Sequence, residues 1–309
     1  MGRYVLKRIG YMIVTLFVVI TLTFLTMKLL PGTPYRNAQK LSPEQIAILN
    51  HKYGFDLPIP VQFVKYLNNM IHGDLGISFQ FDGRSVSTIL MEKFPVSADL
   101  GFEALVIGLF LGLVIGCIAA LRRGTYVDYT AMVIAVLGTS IPAFVLAQLL
   151  QYFLGVKWQV FPVAFWQGPI YHVLPVFALM VGPMATIARY MRTEMVETLG
   201  SDYIEMARAK GLSRGVVITK HAVRNSLIPI VTILGPLVAG LITGSLVIEN
   251  IFAIPGIGSS FVESINTNDY PMIMGTNILF AVLFVILVLL TDIAYGIIDP
   301  RIRVAGGSK

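Results

Sequence analysis

The chain has 309 residues, 56% of them hydrophobic and 13% charged, against about 45–50% and about 25% in an ordinary globular domain. That balance points to a bilayer as solvent. The formal net charge of +6 follows the distribution of Lys/Arg among the connections between apolar segments and is not a nucleic-acid footprint.

In chain order, six apolar segments approach or exceed the roughly 20 residues that cross a hydrocarbon core: 9–30, 99–121, 127–154, 171–188, 227–252 and 272–298. The runs are continuous rather than alternating, and every backbone group must be satisfied within lipid, so the spans are helices and the fold class is all-α integral membrane. The first run follows Arg3, Lys7 and Arg8 as a secretory signal would. It is too long for one, and "MKLLPGTP" offers no small-x-small cleavage site, so it reads as an uncleaved first span.

Residues 31–98 are long enough to fold by themselves. Ser42-Pro43-Glu44-Gln45 fits a capping box with Gly54 as the helix stop, and a second helix is expected over 61–71, stopped by Gly73. "GDLGISFQFDGRSV" reads as turns and short extended pieces before "FPVSADLG" returns the chain to the membrane. This is a small external subdomain in preference to a plain linker. The expected division is 1–30, 31–98, and a five-helix core over 99–309 that contains a charged loop at 195–226.

The spans carry packing signals. Gly108, Gly112 and Gly116 recur every four residues and leave one helical face open to a neighbouring backbone; Gly235, Ala239 and Thr243 repeat the device. Cys117, the one cysteine, forms no intrachain disulfide and reads as a small core residue. Pro142, Pro175, Pro183, Pro229 and Pro236 fall inside spans, where each can interrupt a helix. Bent helices around a translocation path are one reading and irregular packing the other. Pro142, Gln148, Ser245 and Glu249 are the candidates for that path or its gate.

Chemistry is sparse. Lys28, Asp99, Glu103, Asp128, Glu249 and Asp292 sit toward span ends, where snorkelling accounts for them, and a carrier driven by protons or sodium would hold an ionisable group near the midplane. His51, His72, His172 and His221 show no metal-ligand spacing. "TGSL" at 243–246 has no His or Lys base at comparable depth. No G-x-x-x-x-G-K-[ST] occurs, so any ATP is bound by another chain. No catalytic residue, metal site or cofactor-binding site is expected.

Charge orients the spans. The N-terminus, the turn 122–126, the loop 189–226 and the C-terminus hold 15 Lys/Arg in 62 residues, and the other three connections hold 7 in 103. By the positive-inside rule, both termini and the charged loop face the cytoplasm. Within that loop, residues 202–210 are compatible with helix, Ser201 or Asp202 can cap it, and Gly211 can end it in the left-handed conformation. Tyr203, Met206, Ala207 and Lys210 share a face by 3–4 spacing. Such a helix fits a groove on a partner; the alternative is a solvated basic loop held near anionic lipid.

"EMARAKGLSRGVVITKHAVRNSLIP" resembles the EAA loop of ABC importer permeases in its peptide-importer form, with Glu205, Ala207 and Gly211 at the E-x-A-x-x-x-G positions. Met206 replaces the middle Ala of the general pattern, and Gly211 to Pro229 is longer than its generic spacing. "LPGTP", "GDLGISF", "FPVSADLG", "ITGSLVIENIFAIPGIG", "NDYPMIMG" and "DPRIRV" are similar, in order, to the oligopeptide and dipeptide permease family, most closely its oligopeptide B-type subunits. The resemblance implies a type I ABC importer permease with a MetI-like bundle of six transmembrane helices in the cell membrane. It implies a homologous second permease subunit, two ABC ATPase subunits that hold ATP and Mg, and an extracytoplasmic peptide-binding protein that delivers the peptide. Asp202, Tyr203, Glu205, Met206, Ala207, Lys210, Gly211 and Leu212 become the expected ATPase-coupling residues. Residues 31–98 with "IFAIPGIGSS" become the expected docking surface for the binding protein. Dipeptides or nickel are alternative cargoes. A self-contained channel or ion-coupled carrier, and a non-transporting scaffold, are alternatives of a different class.

Overall fold

The structure, a computed structural model, describes residues 2–30, 33–35 and 40–298; within its helices the side chains of 2–5, 7, 239, 242–244 and 294–298 are left aside. The described residues form helices α1 (Gly2–Leu29), α2 (Pro43–Tyr53), α3 (Ile59–Ile71), α4 (Val86–Leu121), α5 (Tyr126–Ser140), α6 (Ala143–Leu150), α7 (Pro169–Leu199), α8 (Asp202–Ala209), α9 (Arg214–Val216), α10 (Arg224–Ile251), α11 (Ile257–Asn266) and α12 (Tyr270–Ile298). No strand occurs among them; Ile77 and Ser85 form one isolated antiparallel bridge. "DPRIRV" and part of "LPGTP" lie outside the described residues.

Five stretches are long and apolar enough to cross a membrane: Arg8–Leu29, Val86–Leu121, Pro169–Leu199, Arg214–Val238 and Tyr270–Ile293. The sixth span is broken. Tyr126–Ser140 and Ala143–Lys157 meet at a 99° bend. Pro142 supplies the reason: it lacks an N–H and pushes the preceding residue out of the helical region, and Ile141 adopts φ −86°, ψ 117°. Pro175 and Pro183 lie inside α7, and Pro229 and Pro236 inside α10, without interrupting either helix.

Two expected boundaries move. The second span starts at Val86 rather than 99, carrying Pro95 within it, because Val86, Ile89 and Leu90 recur at helical spacing and are all buried. The loop 189–226 is mostly helix. Ala188, Met191 and Met195 bury one face of α7 past its apolar run, and π-helical Val217–Val223 leads into α10.

The chain divides into two compact units. One comprises Met1–Ile9, Ala98–Ile254 and Ile286–Lys309. Within it α7 packs on α5, α6 and α10, around a core of Ile187, Met191, Met195, Ile204, Val217 and Ile230. The other comprises Gly10–Ser97 and Pro255–Val285, with a core of Val86, Ile89, Leu90, Ile257 and Met272. Its α2 carries the expected capping box on Ser42 and Gln45, and Gly54 ends it at φ 73°. The second helix begins at Ile59, two residues early, and Gly73 follows at φ 80°. Asp56 closes the link between α2 and α3 by accepting from His51 Nδ1 at 2.8 Å, which holds its carboxyl below the usual range.

Candidate coupling helix and buried polar centres

Ile204 is the one large aliphatic residue of α8 and is fully buried, so it sets which way the helix rolls. Ala207, three residues on, is carried inward with it and joins the core of α7 and α10. The expected shared face therefore splits. Asp202, Tyr203, Glu205, Met206, Lys210 and Leu212 are exposed, while Ala207 is buried. Ser201 stands at the N-cap in extended conformation, yet its Oγ donates to the Thr198 carbonyl at 2.6 Å instead of capping. The stop is sharper. Gly211, at φ 78°, donates to Arg208 O at 2.9 Å and Leu212 N donates to Ala207 O at 3.4 Å, the paired bonds of a Schellman motif. Arg208 of α8 also lines an open pocket of about 490 Å³, together with Arg214, Leu121 and Leu199.

Snorkelling does not describe Asp128 or Glu249. Asp128 is 2% exposed and Glu249 0%. Both Asp128 oxygens are held by Arg192 of α7, Nε to Oδ1 at 2.6 Å and Nη2 to Oδ2 at 2.7 Å. Gly124 N also donates to Asp128, at 3.0 Å. Of the path candidates, Ser245 and Glu249 are buried one turn apart on α10, whereas Pro142 at the break and Gln148 on α6 are exposed.

The glycine stripe of α4 lies against α7. A Cβ on Gly108, Gly112 or Gly116 would stand 3.0, 2.7 or 2.6 Å from the carbonyl oxygens of Met180, Met184 and Ala188, respectively. Gly235 approaches Thr291 of α12, whose Oγ1 would be 2.7 Å from an added Cβ. The side chains of Ala239 and Thr243 lie outside the described set.

Sequence reasoning assigned no contacts to the motif residues of the second unit, and there they meet. Ser78 of "GDLGISF" donates to the buried carboxylate of Asp269 of "NDYPMIMG", and Ser97 of "FPVSADLG" accepts from Ile257 N at 2.9 Å. Gly275 lets Val86 approach so closely that a Cβ there would be 2.5 Å from Val86 Cγ1. Asp269, the single Asp of a connection (253–271) without Lys or Arg, was the available signal for the first of these links.

The four histidines lack metal-ligand spacing along the chain, but the fold brings His172 to two carboxylates. One ligand atom each from Asp99, Glu103 and His172 lies within 4.8 Å of the others.

A family model described as "Binding-protein-dependent transport system inner membrane component" matches residues 112–304, and one described as "Binding-prot-dependent transport system membrane comp, N-term" matches residues 1–101. The chain is 50% identical over 303 residues to the dipeptide transport system permease protein DppB of Bacillus subtilis (strain 168), with 98% of each covered. It is 46% identical to the DppB of Lactococcus lactis subsp. cremoris (strain MG1363), covering 98% of this chain and 100% of that protein. Identity to the oligopeptide transport system permease protein OppB of Salmonella typhimurium is 39% over 305 residues, with 98% and 100% covered. A chain of the inward-facing MetNI methionine ABC transporter matches with a TM-score of 0.57 at 19% identity, covering 68% of this chain and 96% of that one, which shows the fold alone. A nearly full-length match to these permeases, with an all-helical body of up to six spans, means that the chain belongs to the family of binding-protein-dependent transport system inner membrane components.

Proposed function

We propose that this chain is one permease subunit of an ATP-driven peptide importer, forming half of the translocation path with a homologous second permease. The observation that carries the reading is α8: a short helix anchored by Ile204 and Ala207 that presents Tyr203, Glu205, Met206 and Lys210 outward and ends at a left-handed Gly211. An ATPase subunit is the partner for that face, and closure of two such ATPases on ATP and Mg drives the spans through it. The chain itself catalyses nothing. The excess of Lys/Arg in the connections that include α8 supports a cytoplasmic position for this helix and both termini. Residues 31–98 and 251–260 receive the extracytoplasmic peptide-binding protein.

Asp128 and Glu249 are buried close to helix ends, Asp128 in the first turn of α5 against Arg192 and Glu249 two residues before the end of α10; the family relation supports the importer reading over an ion-coupled carrier. Higher identity to the two dipeptide permeases than to the oligopeptide permease favours short peptides as cargo over longer ones.

Mild-detergent purification of the chain from its native membrane, followed by ATPase assay and peptide uptake in proteoliposomes, tests the proposal. A second six-span permease, P-loop ATPases and peptide uptake dependent on the binding protein are expected. A homo-oligomer without ATPase activity overturns the reading.

A further inference from the structure

Asp99 and Glu103 are one turn apart on α4, so their carboxylates leave the same helical face. The first turn of α7 brings His172 to that face, with Nδ1 3.0 and 3.1 Å from the two carboxylate oxygens of Glu103. The Trp166 ring stacks on the imidazole at 3.5 Å and 12°, which fixes the ring plane. Among the described residues, no Lys or Arg pairs with either carboxylate.

We propose that Asp99, Glu103 and His172 form a binding site for a divalent transition-metal ion of the zinc class. The donor set decides the class. An imidazole with two carboxylates suits Zn²⁺, Co²⁺ or Ni²⁺; Mg²⁺ and Ca²⁺ take oxygen shells, and Cu⁺ prefers sulfur. Bonds of about 2.0–2.2 Å in a tetrahedral site separate neighbouring ligand atoms by about 3.4 Å. His172 and Glu103 already stand near that separation. All three ligand atoms lie within 4.8 Å of one another, so rotation of the exposed Asp99 side chain closes the remaining gap. Three protein ligands leave a fourth position for water. The site rests on a firm base, because Gly108, five residues beyond Glu103, seats α4 directly on the α7 backbone. Asp99 is exposed and Glu103 and His172 are half-buried, so an ion has access. Once bound, it joins α4 to α7 at a point separate from the glycine contact.

Co²⁺ titration of the tag-free transporter in lipid nanodiscs, followed by visible absorption, tests the site directly. One saturable ion per chain is expected, with d–d bands of an N/O environment, displaced by Zn²⁺ and not by Mg²⁺. Glu103→Gln and His172→Ala should each weaken binding by more than about tenfold. Asp99→Asn, at an exposed position, should weaken it while leaving the melting temperature unchanged, which keeps the test decisive if His172→Ala unfolds. No saturable Co²⁺ in the wild type, or the same affinity in Glu103→Gln and Asp99→Asn, overturns the proposal. Neither result depends on peptide uptake.

Discussion

Arg192 and Asp128, 64 residues apart, face each other as a two-pronged pair, with guanidinium Nε and Nη2 on separate carboxylate oxygens at 2.6 and 2.7 Å. The pair ties the start of α5 to α7 where the carboxylate has almost no exposure and the guanidinium is 27% exposed. Removing one member of such a pair strands the other. Asp128→Ala should cost about 3 kcal/mol, the lower end of the buried-pair range because Arg192 keeps some exposure. Asp128→Ala with Arg192→Ala should cost less than the sum of the single changes. Thermal unfolding of the purified variants in detergent measures both, and additivity would show that the pair is not coupled.

The approach of α4 to α7 tightens along the stripe from Gly108 through Gly112 to Gly116. Overpacking costs about 1–3 kcal/mol where neighbours cannot move, and here the opposing atoms include backbone carbonyls. Alanine substitutions should therefore lower the melting temperature least at Gly108 and most at Gly116. Any other order argues that the contact relaxes more easily than its distances imply.

Gly211 has φ 78° and nothing within 4 Å of an added Cβ, so a side chain there meets conformational strain and no steric clash. Left-handed backbone costs an L-residue about 1–2 kcal/mol, enough to distort the stop of α8 while sparing the global fold. Gly211→Val should leave the chain expressed and assembled, with basal ATPase activity retained and peptide uptake lost. Gly215→Ala, in α9 with equally open surroundings and no positive φ, is the control and should transport normally. Full uptake by Gly211→Val would remove α8 from the coupling role.

Tyr35, 7% exposed, donates to Asn50 Oδ1 at 2.8 Å. Burial, with Tyr53 beside it, pushes the phenol up to about 12 from 10.0. A folded-state value above the unfolded one means that this contribution is complete below about pH 10 and is lost as pH rises through about 12. Tyr35→Phe should cost about 1 kcal/mol near neutrality through the lost hydrogen bond. It should also remove one late step from the alkaline tyrosinate absorbance titration and flatten stability between pH 10 and 12. An unchanged titration would show that Tyr35 ionises like a solvated phenol.

Features governed by near neighbours were legible in the chain. The Ser42–Gln45 capping box and the left-handed stops at Gly54 and Gly211 each depend on backbone preference or on bonds within about five residues, whereas the five in-span prolines read alike and which of them breaks its helix was not legible. Apolar runs marked the spans, because a bilayer demands length and hydropathy whatever the partners. Boundaries failed where buried faces continue past the apolar run, as at Val86 and at Met191 and Met195, since a stripe of single residues raises average hydropathy little. The inward roll of Ala207 was hidden as well, because the spacing that joins it to Tyr203 also joins it to Ile204.

The charge pattern and motifs of the chain determined a multi-span membrane protein with a short helical stop at Gly211, because hydropathy and backbone preference act locally. Only tertiary structure decided which polar groups meet: Arg192 with Asp128, His172 with Glu103 at a separation of 69 residues, and Ser78 with Asp269 at 191. No local rule links residues that far apart. Their meeting depends on how the helices pack, and in the α4–α7 contact that packing is set by glycines that admit a backbone at van der Waals distance.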